Sequence, residues 1–245
     1  MVRDIDIDRT FCLSGMLNFT RYMFKHKTGM RFVVGNHHRQ ICEALDKVVR
    51  GEIKRLIINI APRYGKTELV SKNFIAYGLA LNPRSKFIHL SYSDDLVLDN
   101  SKEINETVQS DYYQRLFPEV VVESKNAKKW YTSAGGGLYA VSAAGQVTGF
   151  GAGQVDDPDR ERREMGDFMP AWESDFAGAI VIDDPIKPED ALSETIRERV
   201  NNRFESTIRN RVNSRRYLHA AGWLVWQECR LLQGWLCVYH LCREL

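Results

Sequence analysis

The chain has 245 residues, 44% hydrophobic and 27% charged, with 34 basic side chains against 32 acidic. That length accommodates one large α/β domain or one domain with a small appendage, and the apolar fraction supports a packed core, which excludes wholesale disorder. A net charge of +2 gives no argument for nucleic acid from bulk charge, so any such role must rest on local patches.

The N-terminus, Met1 to Thr10, is interrupted by Arg3, Asp4, Asp6, Asp8 and Arg9. It has no apolar signal core, and no apolar run approaches the roughly 18 to 20 residues that span a bilayer. No membrane partner is expected. Cys12, Cys42, Cys229, Cys237 and Cys242 form no CxxC pair and no Cys/His metal spacing. Reduced thiols in the cytoplasm are therefore the expectation.

Residues 1–54 read as an N-terminal helical segment. Ile41, Leu45 and Val48 recur at helical spacing, and Gly51 ends that helix. Arg55 to Ile60 is a β-branched strand, followed at once by Ala61-Pro62-Arg63-Tyr64-Gly65-Lys66-Thr67 and a helix from Glu68 to about Leu81, which Asn82-Pro83 stops. Lys86 to Ser91 is a second strand, and Ser93-Asp94-Asp95 caps a helix running towards Ser110. Trp130–Thr132 and Leu138–Ser142 read as a hairpin across Gly135-Gly136-Gly137. Gly145 to Gly153 is a glycine-rich loop, and Gln154 to Glu173 is polar and expected to be an exposed excursion. Gly178 to Asp184 is a strand buried on both faces that ends in two carboxylates, and Ser193 to Arg216 is helical and rich in arginine. Strands alternating with helices of this length predict an α/β fold with a mostly parallel sheet flanked by helices.

A strand, a tight glycine loop, Lys-Thr and a helix form the arrangement that binds nucleotide phosphates. Loop N–H groups converge on the anion, and the helix N-terminus adds its positive dipole end. Gly65 allows close backbone approach, Lys66 reaches the phosphate oxygens, and the Thr67 hydroxyl ligates Mg²⁺. Ile60 occupies the first glycine position of the full G-x-x-x-x-G-K-[ST] pattern, so the surrounding strand and helix carry the assignment. The carboxylates after the Val181 strand supply the complementary parts: Asp183 for the metal and Asp184 for orienting the attacking water. Asp184 is shorter than Glu, which leaves Glu189 as another candidate acid.

Five segments in order resemble the ATPase domain of the large terminase subunit, the DNA-packaging motor of tailed bacteriophages. They are APRYGKTELVS (Ala61–Ser71), FIHLSYSDDL (Phe87–Leu96), SDYYQRLFP (Ser110–Pro118), AGQVTGFGAG (Ala144–Gly153) and VIDDPIKPEDA (Val181–Ala191). The resemblance implies an ASCE-type P-loop NTPase that threads double-stranded DNA into an empty capsid using ATP and Mg²⁺. Its implied partners are a terminase small subunit and the portal protein of the procapsid, with a homo-oligomeric ring as the working form in the bacterial host cytoplasm. It places Walker A on Lys66 and Thr67 and Walker B on Asp183 and Asp184. Pro62, Arg63, Tyr64, Gly65 and Glu68 complete the nucleotide loop, with Arg63 as a γ-phosphate sensor. Gln40 is a candidate for adenine contact, beside its plain reading as a surface glutamine.

Two departures stand out. Residues 154–176 intervene where the family has only a few residues. After Arg216 the family continues with a core strand, a polar coupling motif and a nuclease domain, whereas residues 217–245 hold three of the five tryptophans and three of the five cysteines. The ATPase core is therefore expected over 55–216, incomplete at its C-terminus. The composition of the 217–245 tail favours out-of-frame translation, as in a decaying prophage, over a native amphipathic helix pair. A non-catalytic remnant and a helicase-like P-loop ATPase are the alternatives. Losing a central strand would leave neighbouring backbone groups unpaired, so the chain is expected to be prone to aggregation.

From Ile196 to Arg216, seven arginines (Arg197, Arg199, Arg203, Arg209, Arg211, Arg215 and Arg216) face two glutamates. Such a stretch can track DNA phosphates, reach a neighbouring subunit's nucleotide, or be a solvated helix face. Trp130, Tyr131 and Trp172 read as core or surface aromatics. His37 and His38, adjacent on a helix, are expected to point in different directions.

Overall fold

The computed structural model describes residues 4–61, 63–124, 126–142, 145, 150–153, 176–187, 189–208, 211 and 221–227. Three helices lead the chain: α1 (Asp4–Leu13), α2 (Met16–Thr28) and α3 (Asn36–Val49). Their junctions are closed locally. The Asp46 carboxylate of α3 accepts the Met16 N–H at 2.8 Å, satisfying a free donor in the first turn of α2. Gly29 ends α2 in the left-handed conformation, with its N–H on the Lys25 carbonyl.

The remaining described elements are strands and helices of one sheet-based layer structure. Strand β1 (Arg55–Asn59) leads through the Lys66 loop into a π-helical stretch, Thr67–Asn73, continuous with α4 (Phe74–Leu81). Then come β2 (Lys86–Ser91), α5 (Asp94–Gln109), the short α6 (Asp111–Gln114), β3 (Lys129–Tyr131) and β4 (Gly137–Ser142). Strand β5 (Gly178–Asp183), α7 (Glu194–Arg203) with a π-helical extension Phe204–Ile208, and β6 (Ala221–Gln227) complete the order. The Ser93 hydroxyl caps α5 by accepting the Leu96 N–H at 3.4 Å, as its position predicts.

The strands form one six-stranded sheet in the order β1-β6-β5-β2-β4-β3, parallel except for the β3–β4 hairpin at one edge. Register brings the carboxyl ends of β1, β6, β5 and β2 level: Asn59 opposes Gln227, while Asp183 opposes both Trp226 and Ser91. That edge is where open parallel sheets hold ligands.

The sequence reading ends the core at residue 216. The structure instead runs the sheet beyond it, with Ala221–Gln227 lying between β1 and β5 and pairing with both. The central backbone groups expected to be unpaired therefore have partners, which removes the structural ground for the expected aggregation.

Two apolar clusters sandwich the sheet. One joins Phe87, Leu138, Ala179 and Val181 to α4, α5 and the N-terminal helices; the other holds Ile88, Leu90, Ile180 and Ile182 with Phe150 and Ile208. The strict alternation along β2 and β5 follows from the two-residue period of a strand. Phe176, counted in the sequence reading with the inserted stretch, is a core residue packed on Phe74 and Phe87. Residues 154–175, with Trp172, lie outside the described residues. Trp130 is fully buried and donates its Nε1–H to the Ser101 hydroxyl at 3.1 Å, while Tyr131 is partly exposed.

Candidate phosphate-binding site

The site is built where β1 and β5 end. The chain leaves β1 and turns sharply: Arg63 has φ +67° and Gly65 φ +77°. Left-handed backbone suits Gly65, whereas at Arg63 it stores strain of the kind held at functional loops. A Cβ on Gly65 would lie 3.2 Å from His38 Nε2, so a side chain there would also press the His38 ring.

His38 fixes this loop from α3. Its Nδ1 accepts the Gly35 N–H at 2.9 Å, which makes Nε2–H the donor to the Tyr64 carbonyl at 3.2 Å. Burial, then the neighbouring His37, lowers the His38 pKa, consistent with this neutral tautomer. The His37 and His38 rings lie 3.8 Å apart between centroids, and His37 meets Tyr64 edge-on at 5.2 Å. The two rings thus share one side of α3, contrary to the divergence expected from adjacent helix positions, because both pack at the start of the helix against the loop.

Beyond the loop, Lys66 and Thr67 meet the carboxylates of β5. Lys66, only 7% exposed, places Nζ 2.9 Å from Asp184 Oδ1. Thr67 Oγ1 lies 3.4 Å from Asp183 Oδ2, and the buried Ser71 hydroxyl donates to that same oxygen at 3.0 Å. Asp183 Oδ1 is buried without a hydrogen-bond partner among the described residues. Burial, then the Asp184 charge, pushes the Asp183 pKa up to about 6, against the pull of Lys66, Ser71 and Thr67. Asp184 has φ +47°, a second strained non-glycine position in the same site.

An unpartnered, buried, anionic oxygen beside a hydroxyl suits a hard divalent cation with oxygen ligands. Among the described residues no group of three or more His, Cys, Asp or Glu side chains forms a metal cage.

Not every expected residue joins the cluster. Arg63 is exposed and makes no hydrogen bond or ion pair with a described residue, and Gln40 lies exposed on α3. Glu68 accepts from Asn73 Nδ2 at 3.3 Å, along its own helix. Tyr64 is 44% exposed at the rim, Glu189 pairs with Lys187 at 2.8 Å, and Pro62 lies outside the described residues. Of the arginine run, Arg197 donates to the Ala191 carbonyl at 2.7 Å and Arg203 to the Gly145 carbonyl. Arg199 is exposed, while Arg209, Arg215 and Arg216 lie outside the described residues.

Sequence reasoning did not single out Ser71, and named His38 only as one of two adjacent helix histidines without a role at the site. Ser71 had a usable signal, since it sits four residues after Thr67 and so on the same helix face. No helix among the described residues is long and apolar enough to cross a membrane. Neither the protein-family models nor the curated proteins searched give a match to this chain.

Proposed function

We propose that the chain is a Mg²⁺-dependent ATP hydrolase of the P-loop type. The observation that carries this reading is the meeting of Lys66 and Thr67 with Asp183 and Asp184 at the carboxyl edge of the sheet, with one Asp183 oxygen left unpartnered among the described residues. The resemblance of the five segments to phage terminase large subunits extends the reading. It casts the chain as a packaging-motor ATPase that moves double-stranded DNA, working in the host cytoplasm as a homo-oligomeric ring with a small subunit and a portal protein.

In this mechanism the loop N–H groups and Lys66 take the phosphate oxygens, so the Lys66 ammonium exchanges the Asp184 carboxylate for phosphate. Thr67 and Asp183 would hold Mg²⁺, which when bound neutralises charge on the phosphates. Asp184, released from Lys66, orients a water for in-line attack on the terminal phosphorus and accepts its proton as the bond to ADP breaks. The protein's work is positioning and charge stabilisation.

Titration of the purified chain with a fluorescent ATP analogue tests the site. Lys66→Ala is expected to weaken binding by at least about tenfold, the loss of one charge-assisted phosphate contact of about 1.5 to 3 kcal/mol. Equal affinity in wild type and variant would place any nucleotide elsewhere. A non-catalytic remnant would show no turnover even where nucleotide binds.

A further inference from the structure

The proposed cation site depends on a side chain that has no direct access to a ligand. Ser71 is fully buried. Its hydroxyl donates at 3.0 Å to Asp183 Oδ2, whereas the Thr67 hydroxyl reaches that oxygen only at 3.4 Å. Asp183 is itself 6% exposed, so water is poorly placed to substitute for a lost donor. At the longer distance Thr67 is the weaker donor, which leaves Ser71 as the principal hydrogen bond to Oδ2.

We propose that Ser71 is the positioning residue of the divalent-cation site: by holding Asp183 Oδ2, its hydroxyl fixes the carboxylate plane and leaves Oδ1 as the oxygen presented to the metal. This rests on the phosphate-site reading above. The π-helical stretch Thr67–Asn73 provides the placement, since it carries Thr67 and Ser71 on one face towards the end of β5. A partner of this kind acts through the ligand it orients, and its removal typically weakens metal affinity by about 10- to 100-fold.

The test uses Mn²⁺ as the probe, with its binding to the full chain and a non-hydrolysable ATP analogue followed by electron paramagnetic resonance. Nucleotide affinity in EDTA and thermal unfolding are measured alongside. Ser71→Ala and Ser71→Cys, the latter preserving size but donating weakly, are each expected to weaken Mn²⁺ binding by about tenfold or more. Their metal-free nucleotide affinity should match wild type. Ser71→Thr, which keeps the hydroxyl, is expected to retain most of the affinity. If wild type binds Mn²⁺ with the analogue and Ser71→Cys binds it equally well, the positioning role is overturned while the site stands. Equal weakening in all three variants overturns it too, because that pattern belongs to packing. Wild type binding neither nucleotide nor Mn²⁺ would overturn the phosphate-site reading, and this inference with it.

Discussion

Replacing Asp183 with Asn should stabilise the ligand-free chain while destroying its divalent-dependent nucleotide binding. Burial and the Asp184 charge raise the Asp183 carboxyl from 3.8 to about 6, about two pH units and therefore about 3 kcal/mol. The folded carboxyl holds its proton more tightly than the unfolded one. That favours folding at acid pH, and the advantage is lost as pH rises from about 4 through about 6. Above that window the native state carries the whole cost of a buried anion. Asparagine removes it, and its amide oxygen can still accept from Ser71 and Thr67. Its NH₂ group replaces an oxygen that already has no partner among the described residues, at a cost of about 1 kcal/mol. The net expectation is a gain of about 2 kcal/mol at pH 7.5, falling towards zero near pH 4.5. Urea denaturation of both proteins in EDTA without nucleotide, at the two pH values, measures it. A gain of equal size at both, or a loss at pH 7.5, would refute the reasoning.

Buried His89 has the opposite pH slope: burial lowers its pKa to about 4. The unfolded chain therefore takes up the proton first, and roughly 3 kcal/mol of stability is lost as pH falls from about 6.5 to about 4. His89→Gln should flatten that acid limb in urea denaturation, and an unchanged limb would remove His89 as its cause. Gly78→Ala, a change that normally favours a helix by about 1 kcal/mol, should instead lower Tm. The added Cβ would lie 2.5 Å from Phe87 Cζ and 2.7 Å from Phe176 Cε1, with overpacking worth about 1–3 kcal/mol. A raised Tm would show that the rings yield. Ending the chain at Arg216 removes β6 from between β1 and β5 and should abolish cooperative thermal unfolding; a sharp transition from that shortened chain would show that the central strand is dispensable.

The parts of the fold that were legible are those with a local signal. The β-branched runs at Arg55 and Gly178, the Ser93 cap and the glycine turn before β4 each declare an element within a few residues. Strand β6 was not legible. AGWLVWQ is an apolar run short enough for a strand or a buried helix, and its central place comes from pairing with strands far earlier in the chain. The π-helical widening after Lys66 likewise leaves no mark in composition, because it is a change of hydrogen-bond partner alone. At the site, Lys66, Thr67, Asp183 and Asp184 were found because each lies at the end of a strand or in the segment after one, whereas Ser71 inside a helix and His38 at a helix start look ordinary until tertiary contact gives them a partner. Arg63, Gln40 and Glu68 were assigned by resemblance to phage packaging motors, and their side chains lie outside the polar cluster.

The most direct test of the central claim is steady-state ATP hydrolysis by the purified chain, with and without Mg²⁺, beside Asp184→Asn. The account predicts Mg²⁺-dependent turnover that falls by about 100-fold or more in the variant, the scale on which a positioned proton acceptor contributes. Equal turnover in the two proteins, or none from a folded wild type that binds ATP, would contradict it.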